Sequence, residues 1–132
     1  MDRSKLDILF TNAPAMQVRF WQEEAKAKAA ELGFNVRMNT NEGPMTPELW
    51  RKLIGQADAL ITGWGTPKLD EEIIGENPNL KIVGHAAGSV ARIVSPYLYD
   101  RGIKVVTAND IMAQAVALWS AMMTLVGLRK MP

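Results

Sequence analysis

The sequence contains no cysteine and a single histidine, His85. A disulfide framework and a thiolate metal site are therefore excluded, and a His-rich metal centre is excluded with them. An excess of charge of either sign is also missing, with 15 Lys and Arg against 14 Asp and Glu. A net charge of +1 provides no basic footprint for nucleic acid and no attraction to an anionic membrane. Charged residues interrupt nearly every apolar run, so no membrane span is expected. The longest uncharged stretch, residues 111–128, contains Gln114, Ser120 and Thr124 and reads as a mostly buried helix. Residues 1–5, MDRSK, lack the apolar core of a signal peptide, which makes a cytoplasmic location the expectation. Neither a P-loop nor a GxGxxG dinucleotide fingerprint occurs.

What is present suits a single domain with a sizeable core: 132 residues, 48% of them hydrophobic and 22% charged. Apolar runs at residues 6–11, 34–38, 57–62, 80–84 and 103–107 read as strands. Between them, helical spacing of Val18, Trp21, Ala25, Ala29 and Leu32 predicts a helix over 15–32, entered through Pro14 and stopped by Gly33. Thr46 is a cap and Pro47 a first residue for a helix over 47–56. Short helices are expected over 70–74 and 95–100, and a long one over 110–129, capped by Asn109 or Asp110.

Strict alternation of strands and helices predicts a flavodoxin-like, doubly wound α/β fold with five parallel strands. Residues 1–108 would form the domain proper, and residues 109–132 a long helix leading out of it. Ligands of such sheets sit beyond the carboxyl ends of the strands. Three loops leave that edge: 12–14, 63–67 and 85–89.

The last of these loops carries the sharpest chemistry. Ala86-Ala87-Gly88-Ser89 follows a strand and precedes a helical segment. Small side chains let a ligand approach the backbone, and successive N–H groups can hold an anion such as a carboxylate. The plainer alternative is a tight connection that needs glycine for its geometry. Ser89 has no activating partner in view, and His85 reads as structural or solvent-facing. Gly63-Trp64-Gly65 is either a flap over a ligand or a place where Trp64 packs. Asp70, Glu71 and Glu72 read as a solvated first helical turn. Met112, Trp119, Met122 and Met123 on the last helix read as core or interface.

Three segments at fixed spacing resemble the D-isomer-specific 2-hydroxyacid dehydrogenases: Pro78-Asn79-Leu80-Lys81-Ile82-Val83-Gly84, then Ala87-Gly88-Ser89, then Arg101-Gly102-Ile103-Lys104-Val105-Val106. Ala57-Asp58-Ala59-Leu60-Ile61 is similar to another strand of the same family's substrate domain, and residues 113–129 to the helix leading out of it. Ala91 and Arg92 stand where the family usually has Asp and often Asn. Leu118 replaces an acidic residue on the outgoing helix.

The resemblance implies a substrate-binding domain for a 2-hydroxy or 2-keto acid. Its carboxylate would be held by backbone N–H groups of Ala87, Gly88 and Ser89, with Trp64 and Gly65 lining the pocket. It also implies NAD or NADP as cofactor, bound in a separate Rossmann domain that carries the catalytic Arg, His and acidic residue. Pro132 falls near the start of that domain, so the chain reads as a truncated part, inactive alone. A homodimer through the long helix is the expected assembly. The alternatives are a stand-alone carboxylate-binding or regulatory module, or an oligomerisation domain.

Overall fold

The computed structural model describes residues 6–130; the reading of residues 1–5 lies outside them. Five strands, β1 (Ile8–Phe10), β2 (Val36–Met38), β3 (Ala59–Thr62), β4 (Ile82–His85) and β5 (Lys104–Thr107), form one sheet in the order β2-β1-β3-β4-β5. Every pairing is parallel. This is the expected fold, with the strand order of flavodoxin-like sheets and a topological switch between β1 and β3.

Three helices cover one face: α3 (Pro47–Ile54), α4 (Glu71–Ile74) and α5 (Pro96–Asp100). Leu9, Leu60 and Val83 from the strands meet Trp50, Ile54, Ile73, Ile74 and Leu98 from the helices in one buried cluster. Thr46 caps α3 as expected, its hydroxyl accepting from the Leu49 N–H, with Pro47 in the first position. Asp70 does the same for α4, accepting from the Ile73 N–H.

The opposite face is less completely covered. The helix expected over 15–32 is two helices, α1 (Pro14–Phe20) and α2 (Glu23–Glu31), separated where Trp21 and Gln22 leave helical geometry. The break lets adjacent aromatic side chains reach different partners. The Trp21 ring packs on Phe10 of β1, at 5.5 Å between centroids, and Phe20 packs edge-on to Trp64 at 5.1 Å. In an unbroken helix, consecutive side chains point about 100° apart around one axis. Neither glycine nor proline marks the break. Farther along, Ile82 and Val106 leave this face of the sheet exposed, whereas parallel sheets are ordinarily covered on both faces.

The last helix, α6 (Asn109–Leu128), has the expected length but not the expected burial or cap. Across 111–128 every residue is exposed except the half-buried Val126. By length and composition, with a mean hydropathy of 1.7, α6 is also able to cross a bilayer. The expectation of no such run is corrected here, because no charge falls between Asp110 and Arg129. Asn109 and Asp110 are helical residues, and Ala108 occupies the cap without a side-chain bond. The Asn109 N–H donates instead to the Thr107 hydroxyl, at 3.2 Å.

Candidate functional site

The carboxyl edge of the sheet holds a cleft of about 400 Å³. Its walls come from the ends of β1, β2 and β3, and include Asn12, Met16, Asn39, Trp50, Trp64 and Gly65. Trp64 and Gly65 therefore sit at the switch point, where the fold places ligands. No charged side chain lines this cleft.

A polar network fixes its floor. Asn12 donates through Nδ2 to the Trp64 carbonyl at 2.9 Å, tying the loop after β3 to the end of β1. Gln17 donates to the carbonyls of Asn12 and Asn39, and Asn39 donates to that of Thr11. Gly63 makes the Asn12 position possible, since a Cβ there would lie 2.7 Å from Asn12 Oδ1. Gly65 takes a left-handed φ of 87°, which a side chain would strain. Trp64 is half exposed, with its ring against Phe20. Trp64 thus both packs on Phe20 and lines the cleft.

At the end of β4, His85 is 5% exposed and its Nδ1 lies 3.0 Å from the Thr62 hydroxyl of β3. Burial lowers its pKa from 6.5, because the cation would lose its hydration. Of the structural and solvent-facing readings of His85, its burial and its contact with Thr62 fit the structural one. Ala86 then donates to the Thr62 carbonyl at 2.8 Å, the last bond joining this turn to β3.

Beyond Ala86 the backbone donors are free. Among the described residues, nothing accepts from the N–H groups of Ala87, Gly88, Ser89 or Val90. Four consecutive unpaired amides are uncommon where part of the backbone is buried, as it is at Ala87. The helix-start argument for this turn is corrected: α5 begins only at Pro96, after an irregular segment, and has five residues. An anion here would be held by free amides and not by a helix dipole.

The glycine-geometry alternative also weakens. Gly88 does not adopt a positive φ, and a Cβ on it would make only an ordinary 3.5 Å contact with Asn109 Oδ1. Ser89 is exposed, and its hydroxyl accepts from the Ala91 N–H, a local turn contact. Its oxygen is engaged with backbone and the His85 ring with Thr62, so no nucleophile–base pair is formed.

The sequence-predicted residues fall into two groups. Trp64 and Gly65 line the cleft, and Ala87, Gly88 and Ser89 do not. The register pair Thr62↔His85 joins the roots of the two loops. A residue missed at the sequence level stands beside the second group: the Thr107 hydroxyl lies 2.9 Å from the Ala87 carbonyl and 2.6 Å from that of Gly88. A hydroxyl residue closing the strand beside the turn was the available signal. No cluster of His, Asp and Glu able to hold a metal occurs among the described residues. The glycine spacing does not fit a dinucleotide cradle.

Fold and edge together define a doubly wound α/β domain with a cleft at its carboxyl edge. Residues 8–118 match the family described as D-isomer specific 2-hydroxyacid dehydrogenase, catalytic domain, and the chain belongs to that family. A search of curated proteins finds no match. Two solved structures share the fold. One is the apo-structure of D-lactate dehydrogenase from Escherichia coli, with a TM-score of 0.58 and 10% identity over 79% of this chain and 31% of that one. The other is pyruvate reductase of Chlamydomonas reinhardtii, with a TM-score of 0.55 and 15% identity over 98% of this chain and 39% of that one. The chain thus spans well under half the length of either.

Proposed function

We propose that this chain is the substrate-binding part of an oxidoreductase that interconverts a 2-hydroxy acid and its 2-keto acid. The observation that carries the reading is the run of unpaired amides at Ala87, Gly88 and Ser89 in a chain of this family. A substrate carboxylate accepts hydrogen bonds from that run, and charge-assisted bonds of this kind are roughly twice as strong as neutral ones. Trp64 and Gly65 shape the neighbouring space for the rest of the substrate. In this reading NAD or NADP supplies or receives the hydride in another part of the protein, since no cradle for it fits here. The chain alone binds substrate without turning it over, and the whole protein is cytoplasmic.

Mixing the purified chain with NADH and a panel of 2-keto acids tests the division of labour. No oxidation of NADH is expected, and turnover would overturn it. Calorimetry with the same acids tests the binding half, where weak, carboxylate-dependent binding is expected. Equal binding of the methyl esters would remove the carboxylate from the account.

The exposed apolar length of α6 favours one addition: self-association of the protein as a homodimer through this helix.

A further inference from the structure

Thr107 touches the backbone of the unpaired-amide turn at two consecutive carbonyls. Its single hydroxyl proton is shared between the oxygens of Ala87 and Gly88, and its oxygen accepts from the Asn109 N–H. The direction of the adjacent amides follows from peptide geometry. Each peptide unit is planar, and in the trans form its C=O and N–H point opposite ways. No cis peptide occurs among the described residues. The Ala87 carbonyl shares its plane with the Gly88 N–H, and the Gly88 carbonyl with the Ser89 N–H. Drawing both carbonyls onto one hydroxyl therefore turns both N–H groups away from β5, on the same side of the turn. Those two donors have no acceptor among the described residues.

We propose that Thr107 is a positioning residue: by holding the Ala87 and Gly88 carbonyls, it aims the Gly88 and Ser89 N–H groups outward as a pair suited to the two oxygens of a carboxylate. The binding half of this statement rests on the substrate-site reading above; the orienting half does not. Without the hydroxyl, the two carbonyls lose a common anchor and the peptide planes are free to rotate, so the donors no longer face one side together. Thr107 contacts no substrate in this arrangement and acts only through the turn. Because the same oxygen receives the Asn109 N–H, the first turn of α6 is joined to the amide pair through one atom.

The test uses the ¹⁵N-labelled chain and three variants, Thr107→Val, Thr107→Ala and Thr107→Ser. Residual dipolar couplings of the Gly88 and Ser89 amides report their directions without ligand. Titration with pyruvate, and with methyl pyruvate as its uncharged counterpart, reports carboxylate binding at the same amides. Thr107→Val and Thr107→Ala should reorient both N–H vectors and weaken pyruvate binding by about tenfold, the loss expected for one hydrogen bond to a charged group. Thr107→Ser should restore both. A purely structural role for Thr107 would lower thermal stability in Val and Ala while leaving the vectors as they were, and that result overturns the proposal. So does a Ser variant that behaves like Val. Vectors that turn in Val and Ala, in a wild-type chain whose amides ignore pyruvate, would sustain the orienting role and overturn the carboxylate reading instead.

Discussion

Thr62 and His85 face each other across β3 and β4, with the Thr62 hydroxyl 3.0 Å from His85 Nδ1 at the last paired position of both strands. Each residue is followed directly by a loop of the candidate site, 63–67 after Thr62 and 86–89 after His85. The contact is buried, and the two loops diverge from a fixed base.

This relationship makes stability depend on pH. Burial depresses the His85 pKa in the folded protein, so the native state takes up a proton less readily than the unfolded chain. When the unfolded state binds more protons, stability rises with pH. The contribution of His85 is therefore complete above the unfolded value near 6.5 and is lost as pH falls from there through the folded value. His85 is the sole histidine, so little else on the side chains titrates in that interval. Thermal unfolding from pH 8 to 5 should show a decline that is shallower in His85→Gln. Matching slopes in the two proteins would show that the ring is not strained by protonation.

Gly63→Ala should be costly at a position where the backbone itself is undemanding. Gly63 has no positive φ, but its added Cβ would meet the Asn12 amide at 2.7–3.1 Å. Asn12 is buried and bonded to the Trp64 carbonyl, so it has little room to yield. Overpacking of this kind costs about 1–3 kcal/mol. Chemical denaturation would measure it. Pairing Gly63→Ala with Asn12→Ala, which removes the obstacle, should recover part of the loss; strictly additive losses would place the strain elsewhere.

Gly88→Ala makes the opposite case. Its φ is not left-handed, and its Cβ finds only Asn109 Oδ1 at 3.5 Å. Stability should change by less than about 0.5 kcal/mol, as for an ordinary surface substitution. Carboxylate binding at the turn should nonetheless fall, because the methyl group stands beside the free amides. The pairing of unchanged unfolding with weakened titration identifies close approach as the reason for glycine. Unweakened binding would leave Gly88 without a functional role.

These positions also show what the sequence could reveal. All five strands and the order of elements were legible, because apolar runs bounded by turn residues are local signals. The Thr46 cap was legible for the same reason, whereas Asp70, read as part of a solvated first turn, is itself the cap of α4. The break at Trp21 was not, since it answers to Phe10 and Trp64, which are distant in sequence. The turn at Ala87–Ser89 was recognised through its small side chains, yet the supposed helix start was absent and the free amides became visible only in three dimensions. Thr107 escaped notice because its partners lie on a neighbouring strand's loop. The uncharged run of α6 pointed correctly to an apolar helix, but composition cannot tell a buried helix from one awaiting a partner.

That last helix supports the final prediction. Ile111, Leu118, Trp119, Leu125 and Leu128 are each at least 60% exposed. A contiguous apolar surface of more than a few hundred Å² is rarely left in water by a monomer, and a stable interface needs roughly 1,200 Å² or more in total. Two copies of α6 packed side by side can approach that only by using most of its length, so association should weaken sharply when the middle is made polar. Leu118 and Leu125 are seven residues apart and share a face. Sedimentation of the chain should show concentration-dependent dimers, and Leu118→Glu combined with Leu125→Glu should shift them to monomers with the circular dichroism of the α/β domain retained. A wild-type chain that is monomeric at every concentration would defeat the dimer. Uptake of the same chain by phosphatidylcholine vesicles, prevented by the double variant, would assign α6 to a bilayer instead, which its length and hydropathy also satisfy.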